Sequence, residues 1–151
     1  MKIPEFQTQY VFVADDDEDD RLLFQEVLKE LPYIVHLTMA SDGEQTIKTL
    51  NELLRLPDVL FLDLNMPIKN GFECLLELKQ NKKLKTLPVI IFSTSSHPSA
   101  INQVYEAGAH LYIPKPNNFL NFKRSIHHVL SVNWKEGLSQ PPREEFVLAL
   151  S

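Results

Sequence analysis

The stretch Val59-Leu60-Phe61-Leu62-Asp63-Leu64-Asn65-Met66-Pro67, followed by Lys69-Asn70-Gly71, decides how this chain is read. Its first four residues are bulky and apolar, too few for a helix, and suit a strand buried on both faces. A carboxylate directly after such a run is either an incidental cap on the next turn or a group held at a sheet edge for chemistry. Its surroundings bear on the choice.

Working outward, residues 10–14, 89–92 and 111–113 are further short apolar runs rich in Val, Ile, Phe and Tyr, with the composition of buried strands. Residues 34–40 alternate only partly and fit a strand nearer an edge. Helical spacing fills the intervals. Leu22, Leu23, Phe24, Val27, Leu28 and Leu31 recur at three and four residues, and Pro32 stops them. Ser41 and Glu44 have the form of a capping box, ahead of Ile47, Leu50, Leu53 and Leu54. Residues 71–80 carry Phe72, Leu75, Leu76 and Leu78 and run into Lys79, Lys82 and Lys83, cations that suit a helix end. Residues 100–107 form a shorter helix with Gly108 as a left-handed cap, and residues 119–132 complete the set. Strand and helix alternate five times, the pattern of a parallel sheet with helices on both faces. Functional groups in such sheets gather at the carboxyl ends of the strands.

The 151 residues suffice for one domain with its own core. Fifteen basic against twenty acidic residues, a net charge of -5, repels a polyanion and disfavours a direct nucleic-acid role. Cys74 is the sole cysteine, which rules out an internal disulfide or a Cys-based zinc site and agrees with a reducing compartment. The first eight residues lack the apolar core of a signal peptide, and no apolar run reaches membrane-spanning length. A cytoplasmic location and no membrane partner are the expectation.

At the expected strand ends lie acids, a lone acid, a hydroxyl and an ammonium. Asp15, Asp16, Asp17, Glu18, Asp19 and Asp20 follow the first strand. They are either a solvated acidic turn at a helix N-terminus or ligands for a cation, and oxygen donors suit Mg²⁺ or Mn²⁺ rather than zinc. An EF-hand is excluded by Asp20, which stands where the calcium loop needs Gly, and by the strand before it. Asp63 ends the third strand, Ser93 and Thr94 the fourth, and Lys115, between Pro114 and Pro116, the fifth. Judged singly, each has an ordinary explanation as cap or solvated side chain. Together they make a near-neutral site: Asp63 with Asp15, Asp16 or both supplies two to three negative charges, and Mg²⁺ with Lys115 supplies three positive ones. Such a site can accept a phosphoryl group, whose oxygens must be met by cation, ammonium and hydroxyl.

With these residues in this order, roughly residues 8–131 resemble the receiver domain of two-component response regulators. The resemblance implies a flavodoxin-like, doubly wound α/β fold with a five-stranded parallel sheet in the order 2-1-3-4-5 and five helices. It implies that Asp63 is the phosphoacceptor, that Asp15 and Asp16 hold Mg²⁺ with Asp63, and that Asn65 offers its backbone carbonyl to the metal. It assigns Ser93 to the hydroxyl that bonds the phosphoryl oxygen, Lys115 to the ammonium that pairs with it, and Tyr112 to the aromatic that changes rotamer as the hydroxyl moves. A cis Lys115–Pro116 bond also follows from it. The partners implied are a histidine kinase or a phosphotransfer protein, and the role is that of a switch, not an enzyme acting on other substrates.

Residues 1–131 are then the receiver domain and residues 132–151 a C-terminal tail too short for an output domain, as in the stand-alone, phytochrome-type branch. The tail carries Trp134, Pro141, Pro142 and the apolar run Phe146-Val147-Leu148-Ala149-Leu150. It is either a disordered end or a docking segment that covers the chain's own surface, adds a strand to a partner, or bridges two copies in a homodimer. His36, His97, His110, His127 and His128 form no metal-ligand pattern. Two competing functions remain: a receiver fold that has lost its chemistry and only binds partners, and an aspartyl-nucleophile phosphatase. The phosphatase needs a second Asp where Asn65 stands.

Overall fold

A computed structural model of the chain describes residues 7–134 and 140–148. Strands β1 (Thr8–Ala14), β2 (Ile34–Ala40), β3 (Val59–Leu62), β4 (Val89–Ser93) and β5 (Leu111–Pro114) form one sheet in the order β2-β1-β3-β4-β5. Every pairing is parallel. Helices α1 (Glu18–Glu30), α2 (Gly43–Glu52), α3 (Gly71–Gln80), α4 (Pro98–Glu106) and α5 (Phe119–Leu130) connect or follow the strands. This is the flavodoxin-like α/β arrangement expected. No helix among the described residues is long and apolar enough to cross a membrane.

The period-two geometry of a strand sends alternate residues to opposite layers. Val11, Val13, Phe61, Phe92 and Ile113 pack with Phe24 and Val27 of α1 and with Phe122 and Ile126 of α5. Phe12, Leu60, Leu62, Ile91 and Tyr112 face the other way, against Leu50 of α2, Leu75 and Leu78 of α3 and Val104 of α4. Both layers are closed, which explains why β3 and β4 read as unbroken apolar runs. Phe24 sits at the centre of the first layer, 5.0 to 5.4 Å from the rings of Phe61, Phe92 and Phe122, in tilted and edge-on contacts that aromatic quadrupoles favour.

The helix boundaries depart from expectation where local chemistry offers a better start. The N-cap of α2 is Asp42, whose carboxylate accepts the Gln45 N–H at 2.7 Å, rather than Ser41. Ser41 instead gives its N–H and hydroxyl to Gln45 Oε1. Asp and Ser are comparable caps; only Asp42 adds a negative charge at the positive end of the helix dipole. The capping box belongs to α3, between Asn70 and Glu73. Helix α4 begins at Pro98, two residues before the expected start, because proline is preset for the first helical turn. Gly108, at φ +100°, ends α4 as expected. Its N–H bonds Tyr105 O and that of Ala109 bonds Val104 O, each at 3.0 Å, in a Schellman arrangement. The Lys115–Pro116 bond is trans, like every other described peptide bond, which corrects the cis expectation. Trans is the ordinary ground state of an X–Pro bond.

Candidate functional site

The sheet register assembles the site. Ala14 of β1 lies beside Leu62 of β3, so the next residues, Asp15 and Asp63, emerge together at the carboxyl end, and the Asp63 N–H bonds Ala14 O at 2.9 Å. By strand alternation Asp15, Asp63 and Lys115 continue the rows of Val13, Phe61 and Ile113 toward the α1 layer. Asp15 and Asp63 are 1% and 4% exposed, so both carboxylates are almost wholly removed from water. Asp16, one residue on, is exposed. Even so, one carboxylate oxygen from each of Asp15, Asp16 and Asp63 lies within 4.8 Å of the others.

Lys115 reaches over the Phe92 ring, 5.2 Å from its centroid, and places its ammonium among the acids. Its Nζ stands 3.1 Å from Asp15 Oδ2, 2.7 Å from Asp20 Oδ2 and 3.6 Å from Asp63 Oδ2. Asp20, in the first turn of α1, was not singled out from the sequence. In a run of six acids nothing marks one of them until a helix turn aims it. Two backbone donors complete the carboxylates: Asp17 N–H to Asp15 Oδ1 at 3.0 Å and Asn65 N–H to Asp63 Oδ1 at 3.3 Å. Arg21 is directed to the Asp15 carbonyl at 2.7 Å, not to its carboxylate.

One ammonium does not balance this many acids. Burial raises Asp63 to about 7, with the Asp15 charge adding to the rise and Lys115 opposing it. Burial likewise raises Asp15, against the bonds from Asp17 and Lys115. Burial alone would lower Lys115, but its hydrogen bond to Asp20 and the charges of Asp63 and Asp15 prevail and raise it. Buried carboxylates held out of water with too little positive charge are what a hard divalent cation relieves, and the donors are all oxygen. The residues present therefore fit Mg²⁺ or Mn²⁺.

Ser93 and Tyr112 lie on the other side of the sheet, toward α4. Ser93 is the last residue of β4 and fully buried, whereas Thr94 is exposed. The Ser93 hydroxyl oxygen accepts the Ser95 N–H at 3.1 Å, and its carbonyl accepts the Lys115 N–H at 2.8 Å. The Tyr112 ring is buried, and its hydroxyl donates to Ser95 O at 2.5 Å. Gly71 closes the other flank. A Cβ there would stand 2.2 Å from the Asp63 carbonyl oxygen, so only glycine lets α3 start this near the acid. Between them the chain makes a γ-type turn: the Lys69 N–H bonds Pro67 O at 2.7 Å around Ile68, at φ +69°, a left-handed conformation costly for a β-branched residue.

Comparison with known proteins identifies the family. The model of the response regulator receiver domain matches residues 11–127, and the chain belongs to that family. Response regulator Rcp1 of Synechocystis is 31% identical over 136 residues, covering 87% of this chain and 92% of that protein. The solved Mn²⁺-bound form of Rcp1 superposes with a TM-score of 0.75 at 29% identity, over 89% of this chain and 99% of that one. The phosphorylated cyanobacterial phytochrome response regulator RcpA superposes with a TM-score of 0.77 at 26% identity, with the same coverage.

Proposed function

We propose that this chain is a phosphoacceptor switch in a two-component relay, with Asp63 as the acceptor. The observation that carries the reading is the deficit of positive charge around Asp63: among the described residues Asp15, Asp20 and Asp63 share a single ammonium, and the exposed Asp16 carboxylate adds a further negative charge beside Asp15 and Asp63. Asp15, Asp16 and Asp63, with the backbone carbonyl of Asn65, would hold Mg²⁺. When bound, the cation supplies the positive charge that keeps Asp63 ionised and offsets the phosphoryl oxygens. Support from relatives comes from the Mn²⁺-bound form of Rcp1 and the phosphorylated form of RcpA.

The chain's own groups divide the rest of the work. A carboxylate oxygen of Asp63 attacks the phosphorus of a phosphohistidine in a histidine kinase or phosphotransfer protein; the new O–P bond forms as the P–N bond breaks, and the imidazole leaves with its electron pair. Lys115, fixed by Asp15 and Asp20, meets one phosphoryl oxygen with its ammonium. Ser93, its oxygen held by the Ser95 N–H, keeps its hydroxyl hydrogen free to donate to another. Tyr112 ties the Ser95 loop to β5 and carries the change outward. The phosphatase reading loses ground because Asn65 has no acid to donate to a leaving group. The acidic balance and the family favour a cytoplasmic signalling role through protein contacts, without direct nucleic-acid binding.

The test is phosphotransfer. Wild-type protein incubated with acetyl phosphate and Mg²⁺ should gain one phosphoryl group that is stable to acid and released by hydroxylamine, and chelation should abolish the gain. Lys115→Ala should slow it by about tenfold or more. No phosphoryl gain from acetyl phosphate or from a panel of phosphorylated histidine kinases would leave the chain a partner-binding module only.

A further inference from the structure

The C-terminal segment, residues 140–148, is seated on the α4–β5 surface of its own chain. Gln140 Nε2 donates to the carbonyls of Tyr105, in the last turn of α4, and Ala109, just beyond it, at 2.5 and 2.7 Å. The Tyr105 hydroxyl donates to Pro141 O at 2.8 Å, and Arg143 Nε donates to Asn102 Oδ1 at 2.7 Å. Beyond a single 3₁₀ turn at Arg143–Glu145, Phe146 is fully buried, with its ring 5.0 Å from that of Tyr105 and 6.2 Å from that of Tyr112. Val147 forms a parallel bridge with Tyr112. The Tyr112 N–H donates to Phe146 O at 3.0 Å, and the Leu148 N–H donates to Tyr112 O at 2.9 Å. The segment thus supplies strand partners for Tyr112 on the edge of β5 that faces away from β4.

Tyr112 is engaged from both sides. Its two backbone groups are taken by the tail and its ring lies against Phe146, while its hydroxyl holds Ser95 O, and the Ser95 N–H holds the Ser93 hydroxyl oxygen. Tail and site therefore share one side chain and one short chain of hydrogen bonds. Were the tail released, Phe146 would leave the core and Tyr112 would lose both backbone partners and an apolar wall for its ring. The cost of moving that ring away from Ser95 would fall. The turn whose Ser95 N–H holds the Ser93 hydroxyl oxygen would then be free to rearrange.

We propose that the docked C-terminal segment is a built-in effector of the acceptor site, which stabilises the site's phosphoryl-ready arrangement through Tyr112 and is itself held more tightly once the site is filled. The inference rests on the phosphoacceptor reading above. Its sign follows from the geometry: with the tail docked, the Ser95 N–H holds the Ser93 oxygen in place through one lone pair and leaves the hydroxyl hydrogen free to rotate toward an incoming oxygen. Linkage makes the effect reciprocal. Whatever raises affinity at the site through the docked tail must, by the same factor, favour docking when the site is occupied.

The probe is beryllofluoride with Mg²⁺, a stand-in for the phosphoryl group, added to the full chain. Amide exchange of Tyr112 and Leu148 should slow about fivefold or more on addition. Phe146→Ala should weaken beryllofluoride binding about fivefold or more. Gln140→Ala, which removes two tail bonds without touching the core, should weaken it in the same direction by less and keeps the test valid if Phe146→Ala folds poorly. In a Tyr112→Phe background, which keeps the ring and removes the bond to Ser95, the tail substitutions should lose most of their effect. Equal affinity in wild type and both tail variants, with tail exchange unchanged, overturns the coupling alone. An undiminished tail effect in Tyr112→Phe overturns the route. Failure of wild type to bind beryllofluoride at all overturns the phosphoacceptor reading and the coupling with it.

Discussion

The two ends of the sheet treat buried polarity in opposite ways. At the amino end, Gln9, 2% exposed, gives its side-chain amide to Leu130 O at 3.2 Å. Asp58 accepts the Tyr10 N–H at 2.8 Å and faces Arg55 at 3.5 Å. His110 accepts the Val89 N–H on Nδ1 at 3.2 Å and is held down to about 4 by burial, with the Lys79 charge adding to the fall, so it stays neutral at physiological pH. These groups are neutral or paired, and they close the fold. At the carboxyl end Asp15 and Asp63 are buried as acids with one shared ammonium, and burial works against their ionisation. Stability is given up there for a site that attracts a cation.

The largest expected effect breaks the close approach that the carboxyl end depends on. Gly71→Ala would put a methyl 2.2 Å from the Asp63 carbonyl. With backbone as the obstacle on one side and the α3 capping box on the other, the substitution should cost roughly 3 kcal/mol or more in urea unfolding and lower Mg²⁺ affinity.

Removing the acid itself should act in the opposite direction. Because burial raises Asp63 from 3.8 to about 7, the folded metal-free protein binds a proton there that the unfolded chain releases. The stability from this site is fully present below pH 3.8 and is lost as pH climbs to about 7. Asp63→Asn escapes that loss. Without metal, the variant should match wild type near pH 4 and exceed it by roughly 1–3 kcal/mol at pH 8, and saturating Mg²⁺ should narrow the gap by stabilising wild type alone. A gap independent of pH would mean that the Asp63 charge is not the destabilising element.

The amino end supplies the control. Gln9→Ala removes a buried bond to α5 and should cost about 1 kcal/mol without altering Mg²⁺ affinity or phosphoryl uptake, both measurable on the same sample. The smallest effect belongs to the loop beside the acid. Ile68→Gly relieves a β-branched side chain at φ +69° and should raise stability by roughly 0.5–1 kcal/mol, the left-handed penalty less the entropy that glycine adds to the unfolded chain.

The two ends also differ in how far they can be read from sequence. Strand periodicity and helical spacing place Asp63 after β3 and Lys115 after β5, and alternation alone yields a parallel sheet. The order of its strands came from the family resemblance, since periodicity says nothing of which strands are neighbours. Asp20 could not be told from its five acidic companions, because the turn of α1 that aims it at Lys115 is a three-dimensional fact. Ser41 and Asp42 are adjacent and equally good caps by residue type, so the register of α2 was legible only to within one residue. The apolar run from Phe146 signalled docking, but hydrophobicity carries no address. Seating it on β5 needed the open edge of Tyr112 and the carbonyls at and just beyond the end of α4.

The central claim, that the unbalanced carboxyl end exists to accept a phosphoryl group on Asp63, is tested most directly by peptide mapping after treatment with acetyl phosphate and Mg²⁺. One modified peptide, containing Asp63, is predicted in wild type, and none in Asp63→Asn protein whose folding is verified by circular dichroism. Modification at another residue, or equal phosphoryl uptake by the Asn variant, would contradict the account.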